Sequence, residues 1–159
     1  MPHICAVRMR EFALALATLG HQVILLTETL GDNPANVSPK NLPNVLDQHD
    51  WTQPYYLSIK PVPDQTLSRL HGGKLGKISR KSVIAFRYVF ENGLYEDWQR
   101  GAEPYLEPLS EAFAPEIIWA SFGNTGVWNI AQRLSKRTEC PWVADIKDNW
   151  QNFIPFGLR

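Results

Sequence analysis

Two carboxylates stand near the carboxyl end of the chain, in Pro141-Trp142-Val143-Ala144-Asp145-Ile146-Lys147-Asp148-Asn149-Trp150. The apolar start of this stretch reads as a buried strand that runs into Asp145, Asp148 and Trp150. In a parallel α/β sheet the carboxyl ends of the strands open onto the ligand crevice, so acids at that place point to a polar binding site. The register separates the two acids: Asp145 finishes the strand, and Asp148 lies in the loop. That spacing describes one wall of a cleft rather than a paired-carboxylate acid/base centre. Asp145 falls at the last buried strand position, where an unpaired carboxylate is expensive. Loop amides, Lys147 or a ligand are its expected partners. Asp148 equally suits a local cap, and Trp150 a packing anchor or a stacking surface for a ligand ring.

A second set, Ser121, Gly123, Asn124 and Thr125, follows the apolar run Glu116-Ile117-Ile118-Trp119-Ala120-Ser121. Ser121, Gly123 and Asn124 are placed to line the same crevice, while Thr125 suits the cap of the next helix. Serine alone is a poor general base, so no catalytic role is assigned to it. Arg8 and Arg10 lie at the expected amino end of the first helix, a natural anion site. Arg8 is the stronger candidate, against the plainer reading of two solvated arginines. His21 reads as a turn residue and His49-Asp50-Trp51 carries no assigned role.

Bulk properties narrow the classes. The 159 residues suffice for one domain with a real core. A formal net charge of zero gives no reason to expect a nucleic-acid partner. The basic cluster Lys74, Lys77, Arg80 and Lys81 reads as a solvated face. The two cysteines, Cys5 and Cys140, form no C-x-x-C pair and fit free thiols in a reducing compartment. The histidines show no metal-ligand spacing. No apolar run approaches the ~20 residues that span a bilayer, and Arg8, Arg10 and Glu11 interrupt any signal-peptide pattern at the start.

The elements that must position these residues follow from hydrophobic period. Val7 to Leu19 predicts a helix burying Met9, Phe12, Ala13, Leu16 and Leu19, ended by Gly20 as a left-handed cap. Val23 to Thr27 predicts a strand covered on both faces. Residues 30 to 54 read as a long surface connection, and Tyr55 to Lys60 as a strand. A flexible turn is expected around Gly72, Gly73 and Gly76. Helices are expected from Ser82 to Tyr88 and from Tyr95 through Phe113, with Pro104 and Pro108 as breaks. A buried strand follows over Glu116 to Ser121. A helix then carries Val127, Ile130, Ala131 and Leu134 on one face, with Lys136 and Arg137 near its carboxyl end. Pro141 to Ile146 is the last strand. This order predicts an α/β protein, an open, mostly parallel Rossmann-like sheet with helices on both faces.

One element is missing from that pattern. A strand should precede the first helix, yet Met1 to Ala6 offers at most a stub. In the strand order 3-2-1-4-5 that first strand is central. The chain is therefore expected to lack its first strand, as a fragment would. Val23–Thr27 should then pair directly with Ile117–Ser121 or leave a gap of roughly 10 Å, two strand spacings. A complete strand over Met1 to Ala6 would overturn this.

The stretch from Arg8 to Thr27, with Arg8, Ala13, Leu16, Gly20-His21 and Val23, resembles the R-x-x-x-x-A-x-x-L-x-x-x-G-H-x-V pattern of family 4 glycosyltransferases. Pro115 to Ser121 is similar to that family's fourth-strand segment. Pro141 to Trp150 resembles its P-x-V-x-D-x-R-D-x-W segment, with Lys147 in the usual arginine place. Order and spacing agree over nearly the whole chain. The resemblance implies that residues 1–159 are part of the amino-terminal, acceptor-side domain of a two-domain GT-B enzyme. It implies sugar transfer from a nucleotide-sugar donor to an acceptor with retention of configuration, without metal or other cofactor. The donor would be bound mainly by a carboxy-terminal domain bearing an E-x7-E motif, which this sequence lacks, so the fragment alone is expected to be inactive. The implied acceptor-binding residues are Arg8, Ser121, Gly123, Asn124, Asp145 and Asp148. The implied partners are a sugar or lipid-linked acceptor and the inner face of a membrane, touched through Trp150, Phe153, Ile154 and Phe156, in a cytoplasmic setting. Some members carry a histidine or acid where Ser121 falls, and that acid/base role does not transfer to a serine. Two rivals are a non-catalytic Rossmann-like binding module and a GT-B-type nucleotide-sugar epimerase. A dinucleotide enzyme is disfavoured, since no G-x-G-x-x-G follows a strand.

Overall fold

The computed structural model describes residues 4–29, 37–63, 81–83, 85–86, 97–121 and 125–146. Helix α1 spans Ile4–Thr18. Its alanine, leucine, methionine, arginine and glutamate content favours helix, and nothing in it breaks one. It begins before the predicted Val7, so residues 4–6 are helix and not a strand stub. Its end is a Schellman motif. The Gly20 N–H bonds the Ala17 carbonyl at 2.9 Å and the His21 N–H bonds the Leu16 carbonyl at 3.1 Å. Gly20 takes φ +88°, as that motif requires. The buried face is narrower than its period predicts. Ala13 and Ala17 are buried, whereas Phe12 and Leu19 are exposed.

Strand β1 (Ile24–Glu28) pairs in parallel with β2 (Tyr55–Ile59), from Ile24 opposite Tyr55 to Glu28 opposite Ile59. The chain between them is not the structureless connection expected. Its described part holds a 3-10 turn (Pro39–Asn41) and helix α2 (Leu42–Asp47). Leu42 and Leu46 bury themselves in the core with Val45 packed beside them. The i, i+3, i+4 signal was present but short, and the prolines around it read as breakers; Pro39 and Pro43 instead occupy first-turn positions, where no N–H is needed.

Residues 81–83 and 85–86 are helical, as predicted. The turn expected at 72–76 lies outside the described residues. Helix α3 (Asp97–Ala102) leads into a 3-10 turn (Glu103–Tyr105), one α-helical turn (Leu106–Pro108) and a π-helical turn (Leu109–Phe113). The changes of pitch fall at Pro104 and Pro108, where the sequence places breaks. Ala114, at φ 47°, closes the run.

Strand β3 (Ile118–Ser121) pairs in parallel with β4 (Trp142–Asp145), and helix α4 (Thr125–Thr138) connects them. Ile130, Ala131 and Leu134 are buried as predicted, and Lys136 and Arg137 are exposed in the last turn. Helices flank β3 on both faces. Ile118 packs on the core that holds Ile130 and Leu134. The Trp119 ring meets Phe12 of α1 at 5.0 Å.

The core joins Leu57 and Ile59 of β2 to Leu42, Leu106, Leu109, Ile130 and Leu134. Two polar ties cross it. The Tyr105 hydroxyl donates to the Val37 carbonyl at 2.8 Å, and Asn129 Nδ2 donates to the buried Gln99 Oε1 at 3.3 Å. At Gly101 an added Cβ would lie 2.2 Å from the Lys60 carbonyl oxygen. Glycine is therefore what lets α3 touch the end of β2.

The chain is thus an α/β protein, with two small parallel sheets among the described residues. Two strands expected to be fully covered are not. Residues 24–27 of β1 are only half-buried. Ile117 is 59% exposed and Trp119 45%. The reason is topological: β1 ladders only with β2, and β3 only with β4, among the described residues. Among those residues no helix is long and apolar enough to cross a membrane.

Candidate functional site

Ser121 and Asp145 are register partners at the carboxyl ends of β3 and β4. Parallel pairing therefore brings both side chains to one end of the sheet. The Ser121 hydroxyl donates to Asp145 Oδ2 at 3.2 Å. The same oxygen pairs with Nη2 of Arg8 from α1. Three of the six sequence-predicted residues thus converge. The other three, Gly123, Asn124 and Asp148, lie outside the described residues, as do Lys147 and Trp150.

Two expectations change. Because α1 starts at Ile4, Arg8 stands beyond the first turn rather than at the amino end, and its anion is a carboxylate of this chain. Asp145 is 18% exposed at its side chain and Arg8 51%. The carboxylate is therefore shielded but not sealed, and its described partners are Arg8 and Ser121, while the loop and Lys147 expected to meet it lie outside the described residues.

Glu28 is the residue that sequence reasoning missed. It ends β1, and with Ser121 and with Met9, next to Arg8, it lines one cavity. The signal was available, since it is the first charge after the apolar run and falls at the carboxyl end of a strand.

This constellation offers a guanidinium donor, a hydroxyl that donates or accepts, and carboxylate acceptors. It suits recognition of hydroxyl groups on a polar ligand. Among the described residues no group of three histidine, cysteine or acidic side chains is placed to hold a metal ion.

The two described histidines, His21 and His49, stand apart from it. His21 is exposed in the turn after α1. His49 Nε2 donates to the Gln53 carbonyl at 3.0 Å, and its ring meets Trp51 and Tyr55 edge-on. Asp50 accepts the Thr52 N–H at 3.0 Å, and that backbone bond holds its carboxyl below the usual range. The His49-Asp50-Trp51 stretch is an ordered turn. Cys140 is a buried free thiol that accepts from the Thr138 hydroxyl at 3.0 Å.

No family model, curated protein or solved structure matches this chain.

Proposed function

We propose that this chain forms the acceptor-side part of a retaining, GT-B-type glycosyltransferase, in which Arg8, Ser121 and Asp145 hold a hydroxyl-bearing acceptor. The observation that carries the reading is their convergence on one carboxylate oxygen at the carboxyl ends of two parallel strands. The motif resemblance supplies the choice of sugar chemistry. In this reading the two strand pairs are halves of one Rossmann-like sheet, in the order β2-β1-gap-β3-β4. Helices on both faces of β3 and the parallel sense of both pairs support that arrangement. Donor binding and bond-making chemistry belong to a second domain, and the setting is cytoplasmic, at a membrane face.

Proton–nitrogen NMR titration with neutral mono- and oligosaccharides tests the binding role. Shifts centred on Arg8, Ser121 and Asp145, lost in Asp145→Asn, are expected. Shifts confined to another surface overturn it. Turnover of a panel of nucleotide sugars by this chain alone should be absent; clear turnover overturns the division of labour.

A further inference from the structure

We propose that Trp119 is a ring-stacking platform beside the acceptor site, so that the preferred acceptor carries a flat apolar ring next to the hydroxyl held by Arg8, Ser121 and Asp145. This rests on the acceptor reading of those three residues.

Side chains alternate along a strand, so Trp119 lies on the same face of β3 as Ser121, about 7 Å back along it. Asp145 stands opposite Ser121, and Val143 opposite Trp119. A polar pair and an apolar pair are therefore neighbours on one face. Helix α1 borders that face. Its Arg8 pairs with Asp145, and its Phe12 ring meets the Trp119 ring at 5.0 Å with 51° between the planes. The four residues from Arg8 to Phe12 advance about 6 Å along the helix, which matches the strand step from Ser121 to Trp119. Arg8 and Phe12 thus mark the polar and the aromatic end of one site.

Contact between the two rings does not dry them. Trp119 stays 45% exposed and Phe12 36%, and Ile117, one step further back on the same face, is 59% exposed. Single exposed apolar side chains are ordinary, whereas several together beside a polar cluster mark a binding surface. Ile117, Trp119 and Ser121 also line one cavity of about 340 Å³. A cavity of about 150 Å³ holds benzene, so this one has room for two fused rings.

The wall chemistry selects the ring. An aromatic ligand on Trp119 gains offset stacking beyond the area it buries. An alkyl chain gains the area alone. A bare sugar held at Ser121 and Asp145 falls short of Ile117, which lies about 13 Å from Ser121 along the strand.

Proton–nitrogen NMR titration of the full chain with methyl, hexyl and naphthyl β-glucosides is the test. The naphthyl compound should bind at least about tenfold more tightly than the methyl and several-fold more tightly than the hexyl. Its ring protons should move upfield in the ring current of Trp119. Trp119→Leu keeps an apolar wall without an aromatic face. It should bring the naphthyl compound down to the hexyl level while methyl glucoside shifts at Arg8 and Ser121 persist. Equal affinity for the naphthyl and hexyl compounds overturns the proposal, as does a naphthyl advantage that survives in Trp119→Leu. Methyl glucoside shifts at Asp145 without a naphthyl gain remove the platform alone. Naphthyl binding at Trp119 without shifts at Arg8, Ser121 and Asp145 removes the acceptor reading alone. No shift with any of the three removes both.

Discussion

The Arg8 guanidinium reaches across 137 positions of sequence to pair with the Asp145 carboxylate. It thereby fastens α1 to the end of β4, in the opposite strand pair from the one α1 precedes. Because Ser121 shares the same carboxylate oxygen, three separate elements meet at one atom.

Asp145→Asn and Arg8→Ala should each lower stability by less than about 1 kcal/mol, because the arginine is half exposed and such pairs contribute little. Their coupling in a double-mutant cycle should shrink as salt rises from low to about 0.5 M. Urea unfolding at several ionic strengths measures this. A salt-independent coupling would contradict a solvent-screened pair.

Gly101→Ala should destabilise by about 1–3 kcal/mol, since the new methyl meets the Lys60 carbonyl and α3 must move away from β2. Gly20→Ala has open space around it but a left-handed backbone, and should cost about 1 kcal/mol through strain alone. Chemical denaturation of the two variants side by side checks the difference in cause.

Leu57→Ala removes a fully buried side chain from the centre of β2 and should cost about 2–5 kcal/mol. Leu46→Ala should fall in the same range if α2 is as integral to the core as its burial shows. A cost below about 0.5 kcal/mol for Leu46→Ala would return residues 42–47 to the status of a surface connection.

Burial raises the phenol pKa of Tyr105, and burial, with Tyr105 nearby, raises that of Tyr55. A raised folded-state value means that the native form holds its proton more tightly than the unfolded chain does. The resulting stability is fully present below the unfolded value of about 10 and is lost as pH rises through the folded value. Urea midpoints should therefore fall above about pH 10. Tyr105→Phe should flatten that fall, and at neutral pH should cost about 1 kcal/mol for the lost bond to Val37.

The sequence by itself determined the local elements whose signals are local. The i, i+3, i+4 face of Ile130, Ala131 and Leu134, the Gly20 stop and the proline-marked changes of pitch at Pro104 and Pro108 all depend on near neighbours. It also placed Ser121 and Asp145 at strand ends, because a run of apolar residues ending in a polar one marks that point. Short α2 escaped because its prolines mimic a break. The exposure of β1 and β3 escaped because an apolar run records only that a strand prefers cover, not whether a neighbour is there to give it. The partner of Asp145 was likewise undecidable. Lys147, the nearby cation along the chain, lies outside the described residues, and a carboxylate pairs with whichever cation the fold delivers. Only the tertiary path of α1, returned against the strands through the Gly20 turn, brings Arg8 there.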